Sequence, residues 1–239
     1  MPKRFVVAAS EFPDLPRFPV GSELAEALTV ASQQLHETLT PHSTLRTAVR
    51  LAVHLMPGAE HAGISVIERD KIRTLAWTDE AVRSAESRYT GREQHGLWDQ
   101  LWNSPVARIT DSEADDGWDV LAALGLRSAL SLRLRSDRRR LTVLTAYARK
   151  PGAFDEEATR VGRLFSAHVS IALDSATVRE QLTEAMHTRD LIGQATGILM
   201  ERQGIDATAA FESLVRASQR ENVKLRDLAR RIVNAPNAS

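Results

Sequence analysis

The chain has 239 residues, 43% of them hydrophobic and 26% charged, which is ordinary globular composition with room for one large domain or two smaller ones. Basic and acidic residues both number 31, so the formal net charge of zero does not by itself identify a nucleic-acid binder. The absence of cysteine excludes disulfides, thiolate metal sites and sulfur-linked pigments. No stretch approaches the ~20 apolar residues of a membrane span, and we therefore expect a cytoplasmic protein with no membrane partner.

The first two thirds of the chain predict helices and a sheet behind a flexible arm. Residues 1–21 contain four prolines, which favours the arm. Alternating apolar and polar residues predict an antiparallel sheet, and helical periodicity predicts its flanking helices, which together make an α+β fold. The expected helices cover 22–39, 43–55, 81–102 and 118–124, and the expected strands cover 62–68, 72–77, 106–110, 128–134 and 141–148. The basic turn between the last two strands is interpreted as a solvated hairpin tip.

After Pro151 the pattern is helical, and Asp155 is the expected N-cap. No glycine or proline occurs between Gly162 and Gly193, so this helix can extend about 45 Å. One apolar stripe of the helix would need a partner, which a second copy can supply. We therefore predict a coiled-coil dimerisation linker over 155–190, with a stripe formed by Val161, Phe165, Val169, Ala172 and Ala176.

Three segments of the central region carry a family resemblance. They are Gly63-Ile-Ser-Val, Gly125-Leu-Arg-Ser-Ala-Leu-Ser-Leu, and Tyr147-Ala followed by Pro151-Gly-Ala-Phe-Asp. In this order and spacing the region resembles a GAF domain, which we place at 22–176. The resemblance implies a sensor that binds a small molecule without covalent attachment, or a dimerisation module. Candidate pocket residues are His95, Trp98 and Trp102, for which core packing is the alternative. No cofactor is predicted.

From residue 182 to 234 the periodicity predicts three short helices around one small core. Asp206 and Asn222 are the expected N-caps of the second and third helices, and Phe211 falls on an apolar stripe. Phe211 is therefore predicted to be buried, which leaves no exposed aromatic residue for base stacking. Gly193 and Gly197 interrupt the first helix, each at a cost of about 0.8–1 kcal/mol against alanine. Tight packing of the next helix explains them slightly better than close approach of RNA.

The same stretch contains Arg189-Asp-Leu-Ile-Gly-Gln-Ala, Gly197-Ile-Leu-Met-Glu-Arg and Lys224-Leu-Arg-Asp-Leu-Ala. These segments are similar to an ANTAR domain, the RNA-binding module of transcription antiterminators, over 182–233. The resemblance implies that each domain of a homodimer binds one stem-loop of a nascent RNA, which then cannot fold into a terminator. Thr196 stands where the family often has lysine. The expected RNA-binding residues are Arg189, Gln194, Thr196, Arg202, Arg216, Ser218, Arg220, Lys224 and Arg226.

The sequence leaves two classes of function open. The common phosphate-binding, zinc-protease and serine-hydrolase motifs do not occur in it, so we do not expect an enzyme. The first hypothesis is a sensor-coupled RNA-binding antitermination regulator. The alternative is a sensor and dimerisation adaptor whose C-terminal bundle binds a protein partner. In both, the GAF-like half has a small-molecule ligand or a second copy of the chain as its partner.

Overall fold

The structure, a computed structural model, describes residues 22–68, 71–88, 100–115, 117–137 and 139–235. The arm expected at 1–21 lies outside these ranges. The chain divides into two compact units, Met1–Thr177 and Val178–Ser239. No helix in the described ranges is long and apolar enough to cross a bilayer.

Within the described residues, the N-terminal unit has the predicted succession of helices and strands. Of the helix expected at 81–102, residues 89–99 lie outside the described ranges. Its helices are α1 (Ser22–His36), α2 (Pro41–Leu55), α3 (Glu80–Arg88), α4 (Asp119–Ala123) and the first part of α5 (Glu156–Gln203). Its strands are β1 (His61–Glu68), β2 (Lys71–Trp77), β3 (Val106–Ile109), β4 (Ser128–Ser136) and β5 (Arg140–Ala148). Asp155 caps α5 as expected, because its Oδ1 accepts a hydrogen bond from the Ala158 amide at 2.8 Å.

The five strands form one antiparallel sheet in the order β2-β1-β5-β4-β3. The β4–β5 hairpin is the alternating pair that the sequence predicted, and its central residues Ser131 and Thr145 share a hydrogen bond of 3.0 Å. The basic turn lies at the tip of this hairpin, where Arg139 donates its amide to Asp137. The fold is therefore α+β with helices on both faces of the sheet, as expected.

Each face of the sheet has its own hydrophobic core, because successive strand residues point to opposite sides. On β5, Leu144 packs with α1, α2 and α5, whereas Val143 packs with α3 and α4. Phe165 and Val169 of α5 belong to the first core and have no exposed surface. The α5 stripe that the sequence assigned to a dimer contact is thus covered by its own domain. That assignment was wrong, since a sheet face can satisfy a helical stripe as well as a second helix can.

The C-terminal unit is the predicted three-helix bundle. The end of α5, together with α6 (Ala207–Glu221) and α7 (Leu225–Asn234), encloses a core of Leu191, Ala195, Leu214, Leu228 and Ala229. Asp206 caps α6 as predicted, accepting from the Ala209 amide at 2.8 Å. Asn222 does not cap α7. It ends α6 in a left-handed conformation with φ of 52°, which asparagine tolerates well, and Lys224 occupies the N-cap position of α7.

Candidate nucleic-acid interface

The C-terminal unit presents most of its expected RNA-binding residues to solvent. Arg189, Arg220 and Lys224 are exposed and have no ion pair within the described part of the chain. Arg216 pairs with Glu212 at 3.2 Å, and Arg226 pairs with Glu184 at 2.6 Å. Gln194 and Arg202 are also exposed. Exposed pairs of this kind contribute little to stability, so both paired arginines remain available to an anion.

Two hydroxyl groups of the expected interface are already engaged with the backbone. Thr196 is half-buried and donates to the Ile192 carbonyl at 2.8 Å. Ser218 is half-buried and donates to the Val223 carbonyl at 2.6 Å, which holds the turn between α6 and α7. Each oxygen keeps acceptor capacity, but neither side chain is a free donor for a base edge.

The nine expected residues do not converge on one spot. On α5, Thr196 follows Arg189 by seven residues and lies on the same side, whereas Gln194 stands about 140° around the helix from Arg189. On α6, Arg216 and Arg220 are one turn apart on the same side. The structure brings Arg189 of α5 and Arg226 of α7 to the same groove.

Phe211 was predicted to be buried in the core, but 43% of it is exposed. The buried side of α6 is formed by Ala210 and Leu214, and Phe211 lies at the edge of that side. It lines a cavity of about 580 Å³ within the C-terminal unit, together with Arg189 and Arg226. From the apolar stripe we had predicted that this module has no exposed aromatic residue. The structure corrects that prediction, because Phe211 is exposed. No sequence signal marked this exposure, because periodicity places Phe211 next to the buried Ala210 without giving the size of the core.

The two helix glycines are not explained by packing within the described chain. A Cβ atom built on Gly193 or Gly197 would have no neighbour within 4 Å. Packing of the next helix, the explanation that the sequence slightly favoured, is therefore wrong for both residues. They leave α5 backbone open on the surface.

The expected ligand pocket of the N-terminal unit is described only in part. His95 and Trp98 lie outside the described residues. Trp102 is half-buried and packs against the core between the sheet, α3 and α4. Two cavities of this unit lie elsewhere: one of about 710 Å³ near Gly58, and one of about 880 Å³ near Arg160.

A buried carboxyl group that sequence patterns did not single out lies between α3 and the sheet. Glu86 accepts hydrogen bonds from the Ser65 hydroxyl and, at 3.1 Å, from the Tyr147 hydroxyl. A side chain at Gly63 would collide with the carboxyl group, so glycine makes room for it on β1. Burial raises the pKa of Glu86, while the hydroxyl groups oppose that rise. Helical periodicity was the available signal, because Glu86 follows the buried Val82 by one turn.

Comparisons with known families identify the two parts of the chain. Residues 38–174 match the GAF domain, and residues 180–233 match the ANTAR domain. The chain belongs to the GAF domain family and carries an ANTAR domain after its GAF domain. GAF is a sensor domain, and ANTAR is an RNA-binding domain of antitermination regulators. A comparison with curated proteins found no match.

Solved structures with this fold include phytochromes and a reductase. A bacteriophytochrome from R. palustris shares 13% identity with a TM-score of 0.61, and the match covers 82% of this chain and 47% of that one. The phycoerythrobilin-bound GAF domain of a cyanobacterial phytochrome shares 12% (TM-score 0.52; 66% and 98% covered). Free methionine-R-sulfoxide reductase from Neisseria meningitidis, solved with its substrate, shares 13% (TM-score 0.51; 67% and 95% covered). At such identity the likeness establishes the fold alone.

Proposed function

We propose that this protein is a sensor-coupled transcription antiterminator that binds stem-loops of nascent RNA. The observation that carries the proposal is the ANTAR match over residues 180–233. A stem-loop held by the protein cannot take part in a terminator hairpin. RNA loops offer unstacked bases to side chains, whereas paired stems offer mainly phosphates and 2′-hydroxyl groups.

Charge and exposure support a division of labour among the RNA-binding residues. We infer that Arg189, Arg220 and Lys224 make the first phosphate contacts, because no acidic partner in the described chain has to be displaced. The other arginines of the expected set add to this charge, and the exposed amide of Gln194 can read a base edge. The remaining members of the proposed set are Arg202, Arg216 and Arg226 for phosphate, with Thr196 and Ser218 as acceptors.

The open surface at Gly193 and Gly197 supports close contact between α5 and the RNA. A helix that keeps two interior glycines forgoes about 0.8–1 kcal/mol at each position. Since no part of the described chain uses the space, a binding partner is the better account. The residues lie four apart, on one side of the helix, where an RNA backbone could approach the peptide groups.

We further propose that the functional form is a parallel homodimer. The stripe first assigned to this contact is buried, but α5 has a second one. Leu164, Ile171 and Val178 follow at intervals of seven residues, with exposed fractions of 45%, 58% and 54%. A seven-residue repeat of apolar residues is the pattern of a coiled-coil seam. A dimer would bring two RNA-binding modules to two stem-loops of one transcript.

For the GAF half we propose a small organic ligand bound without a covalent link, with Trp102 at the site and His95 and Trp98 as further candidates. The family supports a sensor role, and the phytochrome domain and the reductase named above were solved with bound small molecules. Trp102 is only half-buried at the margin of its core, which leaves part of the indole available. A ligand of the native state should raise the unfolding temperature as its concentration rises.

A gel shift at several salt concentrations tests the RNA proposal against the adaptor alternative. The probe is a pool of tandem stem-loop RNAs with randomised loops, taken through rounds of selection by the full-length protein. We expect enrichment of particular loops and an affinity that falls with salt according to the number of phosphates contacted. If no stem-loop is retained better than a loopless duplex, the RNA proposal is wrong and the adaptor alternative replaces it.

A further inference from the structure

The groove at Phe211 is open to solvent and is lined by both apolar and polar residues, among them the acidic Glu184. Ile192 of α5 and Phe211 of α6 line it, and Arg189 and Arg226 line it as well. Its volume of about 580 Å³ lies in the range of small-molecule sites. All of these residues belong to the C-terminal unit.

The ring of Phe211 gains little from its position in the bundle. Its neighbours Ala210 and Leu214 are buried, but 43% of Phe211 remains in solvent. Among the described residues of this unit it is the only Phe, Tyr or Trp side chain. A ring face open toward a groove is what a nucleobase needs for stacking, and every base has a π-face to offer.

The two arginines in the groove differ in their availability. The Arg226 guanidinium donates to Glu184 Oε1 at 2.6 Å, so its charge is largely matched in the free protein. Arg189 has no ion pair within the described chain and is exposed. The groove therefore offers one partly exposed aromatic ring and, in Arg189, one cation without an ion pair in the described chain, which suits a base with its attached phosphate better than it suits an uncharged apolar peptide.

We propose that this groove holds one unpaired nucleobase of the RNA loop, stacked on Phe211, with the adjoining phosphate bound by Arg189. The inference rests on the proposed RNA-binding function and adds to it a site for a single nucleotide. Arg226 of α7 donates a hydrogen bond to Glu184 of α5, the helix that also bears Arg189. This bond holds the two sides of the groove together.

The test starts from a stem-loop selected by the full-length protein, with each loop nucleotide replaced in turn by an abasic one. Phe211→Leu keeps an apolar side chain, and Phe211→Trp keeps an aromatic face. We expect Phe211→Leu to weaken binding by about 5- to 150-fold, and Phe211→Trp to stay close to the original affinity. At one loop position the abasic RNA should bind the original protein and Phe211→Leu equally, since the stacking partner is already lost.

A pair of charge variants tests the phosphate contact. Arg189→Gln should make the negative slope of log affinity against log salt shallower by about one unit. Arg231→Gln is the matched control, because Arg231 is exposed, pairs with Glu221 at 3.4 Å and does not line the groove. It should leave the slope unchanged. Circular dichroism would verify that every variant retains its helices.

The outcomes separate this inference from the proposed function. If selected loops bind but Phe211→Leu binds them within twofold of the original protein, the base site is wrong and RNA binding stands. The base site is also wrong if, at every loop position, the loss of affinity caused by the abasic nucleotide adds to the loss caused by Phe211→Leu. If the selection yields no loop that binds better than a loopless duplex, the proposed function itself fails.

Discussion

At the scale of single residues, the buried Glu86 carboxyl gives the N-terminal unit a defined pH response. Burial raises the pKa of Glu86 above its usual 4.5. A group whose pKa is raised by folding favours the native state below the unfolded pKa, and that contribution is lost as pH rises through the folded pKa. Native-state stability should therefore decline from about pH 4.5 upward on account of this residue.

Replacing Glu86 by glutamine removes the ionisation and keeps the shape of the neutral carboxyl. We expect Glu86→Gln to raise the melting temperature at pH 8, by about 2–4 °C for each kcal/mol gained, with the difference shrinking toward pH 4. Thermal unfolding across this pH range would measure it. Glu37→Gln is the control, because Glu37 is exposed and should show no such trend. A constant difference at all pH values would contradict a titrating Glu86.

Thr196 provides a gain-of-binding test at the proposed RNA interface. Thr196→Lys introduces the lysine that the ANTAR resemblance leads us to expect here, and a lysine stem can follow the helix surface and place its charge in solvent. We expect tighter RNA binding at low salt and a salt slope that is steeper by about one unit. Unchanged affinity and slope, with helicity retained, would show that this side of α5 does not face the phosphates.

At the scale of secondary-structure elements, α5 has two apolar stripes. Its first stripe completes the GAF core, and its second, formed by Leu164, Ile171 and Val178, is exposed. If the proposed dimer forms through this second stripe, Ile171→Glu should leave only monomer in light scattering without unfolding the domain. Affinity for a two-loop RNA should then drop by about 10²- to 10⁴-fold toward that for a single loop, because avidity is lost.

A control for the dimer test is Leu39→Glu, which places the same charge on an exposed apolar residue that is not part of α5. It should leave the oligomeric state unchanged. The proposal of a coiled-coil seam is wrong if Ile171→Glu and the original protein have the same mass in solution over a range of concentrations.

The glycines of α5 allow stability and binding to be separated. Since a methyl group at Gly197 meets open space, Gly197→Ala should stabilise the C-terminal unit by about 0.8–1 kcal/mol. If RNA approaches the backbone here, the same variant should bind RNA less tightly. Chemical denaturation and gel shift on one preparation would measure both. A more stable variant with unaltered RNA affinity would remove this surface from the interface.

At the scale of the whole molecule, the order of elements was predictable because local patterns determine it. The β4–β5 alternation and the uninterrupted α5 depend on neighbours in sequence. Which surface covers an apolar stripe depends on tertiary structure, so the α5 stripe around Phe165 was assigned to the wrong partner. Phe211 was misplaced for a related reason, since hydrophobicity predicts burial but not the size of the core available.

The candidate interface was predictable in residue type rather than in arrangement. The exposed arginines follow from the polar side of each helix. The meeting of Arg189 and Arg226 in one groove, 37 positions apart, depends on how the bundle closes. Periodicity alone could have revealed Glu86, but its hydrogen bonds to Ser65 and Tyr147 come from strands that only the sheet order brings together.

We propose that the protein binds a stem-loop and thereby prevents termination. Single-round transcription in vitro tests this directly, on a template in which a selected stem-loop overlaps an intrinsic terminator. We expect added protein to increase read-through in proportion to its occupancy of the RNA. A template that lacks the loop should show a smaller increase, and so should the Arg189→Gln protein at moderate salt. If read-through does not change when the stem-loop is saturated with protein, the protein is not an antiterminator.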